Sequence, residues 1–268
     1  MVSLVFVGDV MLGRRVDSEK NIFKNVKDLL KKGDITFGNL ECPLCEGLDY
    51  VDKKYVFSAK EDCGKIIKDA GFDLLSIANN HIIDCREKGL ENTKRILEKN
   101  NLKYLGVGKG QQRPTVIEKD GIRIGFLAYC KKQKIFKELE KIPYITGENM
   151  IEDIKNADVD FLVVSVHWGR EYNLRPSEKQ IKLAKKMIEN GADIVVGHHA
   201  HIPQKIEEYK GGVIAYSLGN FVFDQIFNPL VMKSKILQVD IDSKGIKDYE
   251  VINSVYDEES VPSIETYK

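Results

Sequence analysis

Short apolar runs alternate with amphipathic stretches along most of the chain. Runs at 4–7, 35–38, 74–78, 161–166 and 193–196 have the length and Val/Ile/Leu/Phe content of buried strands. Stretches 21–31, 62–70, 87–100 and 177–190 space apolar residues three and four apart, as a helix burying one face requires. Ile181, Ala184, Met187 and Ile188 form one such face. Gly33, Gly71 and Gly191 fall just past helical stretches, where a left-handed C-cap favours glycine. This alternation predicts an α/β fold. The second half adds strands at 115–118, 123–129, 204–208, 212–217 and 235–240. Two sheets packed face to face, with helices outside, are expected. No Pro/Ser/Gly-rich linker or internal repeat interrupts 1–268, which reads as one domain. Segment 131–150 is the least regular and reads as a lid or insertion.

Charge and length narrow the partners. Lys plus Arg and Asp plus Glu number 41 each over 268 residues, so no global field draws in nucleic acid or an anionic membrane. No stretch approaches the ~20 apolar residues of a membrane span. The apolar start, Met1 to Val7, is too short for a secretory signal and has no basic residues before it, so a cytoplasmic protein is expected. Five cysteines cannot all pair within one chain. Cys42-Pro-Leu-Cys45 has the spacing of zinc and redox sites, but without a second pair these read as mostly reduced structural thiols.

The histidines carry the chemistry. His81, His167, His198, His199 and His201 all follow a predicted strand, where α/β proteins build ligand sites. Asp9, Asn39, Glu41, Asn79, Asn80 and Asp84 share that position. Imidazole, carboxylate and amide oxygen together suit Zn, Mn or Fe. Taken singly, each has a plainer use: His167 as a hydrogen-bonded core histidine, Asp9 as a turn cap, Asn79-Asn80 as a turn pair. Three histidines within Gly197-His-His-Ala-His201 have no common structural use. On an extended backbone His199 and His201 would face one way and His198 another.

Eight stretches, in order, make the chain recognisable: Gly8-Asp-Val-Met-Leu-Gly-Arg14, Gly38-Asn-Leu-Glu-Cys-Pro43, Ala70-Gly-Phe-Asp73 and Ala78-Asn-Asn-His-Ile-Ile-Asp84, then Gly89-Leu-Glu-Asn-Thr93, His167-Trp-Gly-Arg-Glu-Tyr172, Gly191 through His201 and Tyr216-Ser-Leu-Gly-Asn-Phe221. Over roughly 4–224 the sequence resembles the bacterial capsule-synthesis CapA family, linked to poly-γ-glutamate synthesis, within the calcineurin-like metallophosphoesterase superfamily. The resemblance implies a four-layer α/β/β/α sandwich holding a two-metal centre. It makes Asp9, Asn80, His167, His199 and His201 metal ligands and gives the bridging position to Glu41, with Asn39 beside it. His81 takes the catalytic or phosphate-contacting place. Two departures from the wider superfamily stand out: Asp9-Val-Met11 replaces Asp-x-His, and Glu41 or Asn39 replaces a bridging Asp.

The function expected is a metal-dependent hydrolase with two divalent ions (Mn, Zn or Fe), acting on a phosphoester or related anionic substrate. His81 would move a proton, oriented by Asp84. Arg14, Arg170 and Arg175 would grip an anion, since a guanidinium fork suits phosphate or carboxylate. The alternative is an accessory protein of capsule synthesis that binds metal and polyanion without turnover.

Overall fold

The structure is a computed structural model that describes residues 1–47, 49–108, 110–131 and 147–265. Its first sheet is built on four parallel strands: β1 (Val2–Val10), β2 (Ile35–Leu40), β3 (Leu74–Ser76) and β4 (Lys103–Leu105). On the other side of β1 lie β12 (Lys233–Asp242), β13 (Gly245–Tyr256) and β14 (Pro262–Ile264), each antiparallel to its neighbour. The antiparallel pairing of β12 stops at Phe6 of β1. Beyond it, β11 (Asn220–Val222) takes over beside β1 in parallel.

The second sheet has the order β5-β6-β7-β8-β10-β9. It comprises β5 (Thr115–Lys119), β6 (Ile122–Cys130), β7 (Phe161–His167), β8 (Ile194–His198), β9 (Ile206–Tyr209) and β10 (Gly212–Ala215). β6, β7, β8 and β10 run parallel, so their carboxyl ends leave the sheet on one edge.

Both faces of the central strands are covered, which is why they read as near-continuous apolar runs. Along β7, Phe161 and Val163 join the core shared with the first sheet. Leu162, Val164 and Val166 join a second core under α4 (Gly147–Lys155) and α5 (Glu178–Glu189). Phe37 of β2 stacks on Phe126 of β6 at 6.0 Å between centroids, closing the gap between sheets. Each of these rings, if fully buried, contributes about 2–3 kcal/mol. Helices α1 (Lys27–Leu30), α2 (Cys63–Ala70) and α3 (Arg86–Lys99) lie against the first sheet through Leu30, Ile67, Leu90 and Leu97. The result is the four-layer α/β/β/α sandwich.

Several expectations are corrected. The helix read over 21–31 shrinks to Lys27–Leu30, because its first half is a run of turns, with Val26 N–H donating to Phe23 O. Those turns still bury Ile22, Phe23 and Val26, so the apolar spacing is kept without the helix. Gly71 and Gly191 do adopt left-handed φ of 110° and 116°. Gly33 does not; it is small because a Cβ there would lie 2.7 Å from Val5 Cγ2. The expected lid falls mainly on 132–146, outside the described residues, and from Gly147 onward the chain is helical. Cys45 and Cys85 form a disulfide, whereas Cys42, Cys63 and Cys130 are buried thiols. The CxxC pair is therefore split, with Cys45 bound to the start of α3 instead of to Cys42. Among the described residues, no helix is long and apolar enough to cross a membrane.

Candidate metal centre

The carboxyl ends of strands from both sheets converge on one edge, and the polar residues singled out above meet there. Asp9 ends β1 in register with Asn39 of β2 on one side and Asn220 of β11 on the other. Glu41 follows β2, and Asn79, Asn80 and His81 follow β3. From the second sheet come His167 at the end of β7 and His198 beside it at the end of β8, paired in register. His199 and His201 follow. All of these are buried: Asp9, Asn39 and Glu41 completely, and His199 to 8% exposure.

Close backbone approach makes the convergence feasible. A Cβ on Gly8 would sit 1.9 Å from Gly219 O, and one on Gly197 would sit 2.0 Å from Tyr216 O. Asp9 N–H donates to Gly219 O at 2.9 Å, which fixes the start of the Asp9 side chain. The extended backbone expected for His199 and His201 is not found. Both have left-handed φ, 86° and 58°, although neither is glycine. Strain of that kind, of order 1–3 kcal/mol per residue, persists only where the surroundings impose it. The turn still brings the two rings to 6.1 Å between centroids, with His199 4.7 Å from His167.

Asn39 organises the carboxylates. Its Nδ2 donates to Asp9 Oδ1 at 2.8 Å and lies 3.4 Å from both Glu41 Oε2 and His167 Nδ1. Its Oδ1 accepts from Asn79 Nδ2 at 3.1 Å. With its oxygen engaged, Asn39 presents its NH2 to the acids, the stance of an orienting group. Asn80 Oδ1 lies 2.6 Å from His167 Nε2. His198, expected to turn toward packing or a supporting role behind the ligands, donates from Nδ1 to Asp9 Oδ1 at 3.1 Å. His201 Nδ1 donates to Asn220 Oδ1 at 2.9 Å. Asn220 was given no role from the sequence; only its register beside Asp9 reveals one. Met11, at the place of the superfamily histidine, is buried, and its sulfur accepts from Gly13 N–H at 3.2 Å.

A second group surrounds His81. Its Nδ1 donates to Asp84 Oδ2 at 2.6 Å, and Phe57 stacks on its ring at 3.6 Å. Asp84 also accepts from Phe57 N–H at 2.7 Å and pairs with Lys53, whose Nζ donates to Asn80 O at 2.9 Å. Lys53 comes from an irregular loop with no periodicity to mark it. Of the three arginines, Arg14 lies 4.9 Å from the Phe57 ring and pairs with buried Asp224 at 3.0 Å. Arg170 lines a neighbouring cleft. Arg175 is exposed, with no polar contact to the cluster among the described residues.

The electrostatics ask for a cation. Burial raises Glu41 well above the usual carboxylate range, and the charge of Asp9 adds to it. Burial also opposes the charge on Asp9, but hydrogen bonding to His198 and the charges of His198 and His201 outweigh it and hold that carboxyl low. Burial pushes His199 down to about 3 and His167 well below the usual imidazole range, with neighbouring histidines adding to both. Neutral imidazoles and crowded carboxylates are the state a metal binds. Asp9 Oδ2, Glu41 Oε1 and His199 Nδ1 are buried with no hydrogen-bond partner. Two sets of donor atoms, Glu41/His167/His199 and Asp9/Glu41/His201, each lie within 4.8 Å of one another and share Glu41. The residues present fit divalent metal.

Residues 3–225 match the family described as bacterial capsule synthesis protein PGA_cap. The chain belongs to that family. Within it, the chain is 36% identical to the capsule biosynthesis protein CapA of Bacillus anthracis over 84% of its own length. It is 33% identical to the PGA biosynthesis protein CapA of Bacillus subtilis (strain 168) over 94%. The chain spans 60% of the first relative and 70% of the second. Among solved structures, a hypothetical protein from Thermus thermophilus superposes with a TM-score of 0.64 at 14% identity, covering 94% of this chain and 98% of that one. The 5'-nucleotidase of Candida albicans superposes at 0.54 and 13% identity, over 97% of this chain and 52% of the other. These two likenesses concern the fold, which this PGA_cap member shares with a 5'-nucleotidase.

Proposed function

We infer that this chain is a metal-dependent hydrolase acting on a phosphoester or a related anionic substrate. The reading rests on one observation: two sets of buried donors share Glu41, and one oxygen of each carboxylate, Asp9 Oδ2 and Glu41 Oε1, lacks a hydrogen-bond partner. Asp9 and His201 would hold metal with Glu41 on one side, and Asn80, His167 and His199 on the other, for two ions of the Mn, Zn or Fe type. Such ions, when bound, supply Lewis acidity and an activated water. The chain's own residues do the rest. Asn39 and His198 hold Asp9 from two directions. Asp84 accepts the hydrogen bond of His81 Nδ1–H, which fixes the tautomer and leaves Nε2 to accept a proton or, once charged, deliver one to a leaving group. Arg14 lies against the Phe57 ring that stacks on His81, and would steady an anion there.

The test is turnover of p-nitrophenyl phosphate mono- and diesters with Mn, Zn or Fe supplied. Asp9→Ala and His199→Ala should each remove turnover and weaken metal binding. A wild-type protein that binds metal tightly yet cleaves none of these esters would remove the hydrolase reading. The names of the Bacillus relatives favour a second reading, an accessory protein of capsule synthesis that binds metal and polyanion without turnover. The loss of the superfamily histidine at Met11 supports it, since one imidazole fewer weakens one metal position. Glutamate-polymer binding without hydrolysis of any ester would decide for that reading.

A further inference from the structure

The segment that leaves β7, from Gly169 to Tyr172, carries a carboxylate that the centre described above leaves unused. Gly169 and Tyr172 have left-handed φ, 87° and 63°, and bend this segment toward the histidine turn. Tyr172 N–H donates to Ala200 O at 2.8 Å, which pins Glu171 beside the residue that separates His199 from His201. A tyrosine keeps such a φ only where its surroundings impose it. Here the Tyr172 ring faces His201 with 5.9 Å between centroids, and its hydroxyl accepts from Gln225 Nε2 at 3.2 Å. Gln225 Oε1 accepts from Asn220 Nδ2 at 3.1 Å, and Asn220 Oδ1 accepts from His201 Nδ1. The network that orients His201 therefore also holds the neighbour of Glu171.

Glu171, His199 and His201 each offer one donor atom, and the three atoms lie within 4.8 Å of one another. Both imidazoles are buried and Glu171 is exposed, so its carboxylate closes the set from the solvent side. His199 Nδ1 is buried without a hydrogen-bond partner. His201 commits Nδ1 to Asn220, which leaves Nε2 for a metal. The two ion positions are unequally supplied. Asn80, His167 and His199 join Glu41 on one side, whereas Asp9 and His201 join it on the other, one donor fewer. Two divalent ions would also bring more positive charge than Asp9 and Glu41 offset. A third carboxylate supplies both a donor and a charge.

We propose that Glu171 is a further metal ligand, completing from the solvent side the position built by Asp9, Glu41 and His201. It rests on the metal centre of the hydrolase reading and not on turnover, so metal affinity tests it without substrate.

Manganese titration of the full chain, with free Mn counted by electron paramagnetic resonance, reads that affinity. Glu171→Gln should weaken one Mn site about tenfold or more. Glu171→Asp keeps the charge but shortens the reach, and should weaken the same site. Glu118→Gln, the same charge change at an exposed position on β5, should bind Mn as the wild type does. In an Asp9→Ala background, where that position is already disabled, adding Glu171→Gln should leave the remaining site unaltered. Unshifted melting temperatures without metal would show that the Glu171 variants are folded. The proposal is overturned if folded Glu171→Gln binds Mn as tightly as the wild type, or if Glu171→Asp does so, since charge alone would then suffice. It is also overturned if Glu171→Gln weakens the site that survives in Asp9→Ala. A Glu171-dependent Mn site with no ester cleavage under any metal would remove the hydrolase reading and leave Glu171 a ligand. Ester cleavage with Mn affinity indifferent to Glu171 would do the reverse.

Discussion

Asn39 sits between two buried carboxylates and gives hydrogen bonds in place of a third charge, which shows how this centre tolerates crowding. Similar restraint governs the backbone beneath it. Gly8 and Gly197 admit carbonyl oxygens at distances that no Cβ allows. Gly8→Ala must therefore move β1 away from Gly219 and shift Asp9. Its expected cost is about 2–4 kcal/mol of stability, with a weaker metal affinity, checked by urea unfolding and metal titration. An unchanged metal affinity would show that Asp9 is positioned by something other than this contact. Asp84→Ala strands the Lys53 ammonium and frees His81, so a loss of about 3–5 kcal/mol is expected from chemical denaturation. At this scale the candidate site was legible as a group, because all five histidines with several carboxylates and amides fall at strand ends, although each alone has a plainer use. Lys53 and Asn220 were not: their roles depend on a loop path and a strand register that no local pattern encodes.

Strands and helices buried on one continuous face were readable, and those defined only by partners were not. β13 is twelve residues long but mostly half-exposed, so it lacks a clean apolar run, and β11 is three residues that exist as a strand only beside β1. By contrast, α5 announced itself through its apolar face, to which the structure adds a Ser177 cap. Because that cap is reciprocal with Gln180, Ser177→Ala should lower stability by about 1 kcal/mol in thermal or urea melts. A negligible loss would mean that packing under α5 alone fixes the helix start. The disulfide joins the loop after β2 to the start of α3 across 40 residues. In the sequence these cysteines read as mostly reduced thiols, since Cys85 is adjacent to Cys45 only in space. Cys45→Ser should lower stability by about 2–4 kcal/mol, and an equal loss in reduced wild-type protein would assign it to the bond.

Over the whole molecule, the buried imidazoles make stability depend on pH. Burial holds His81 at about 4, His199 at about 3 and His167 well below the usual range. Above about pH 6.5 all three are neutral whether the chain is folded or not, so their contribution is intact. As pH falls below that, the unfolded chain takes up protons that the folded chain refuses, and stability drops toward the folded values. Glu41 acts in the opposite sense, because burial and Asp9 raise it and protonation favours its folded state. Three imidazoles against one carboxyl leave a net loss of about 2 kcal/mol between roughly pH 7 and 5.5 in metal-free protein. Urea melts across that interval check it; stability rising on acidification would mean the imidazoles are charged in the fold.

The donors do not all belong to one half of the core. Asp9, Glu41 and Asn80 hang from the first sheet, and His167, His199 and His201 from the second, facing each other across the seam that Phe37 and Phe126 fill. A cation held there acts as a rivet through both plates. Its removal should loosen the two sheets together, so that amide protons of β1 and β8 exchange faster in step on chelation, while those of the β13–β14 pairing, at the edge of the first sheet, keep their original rate.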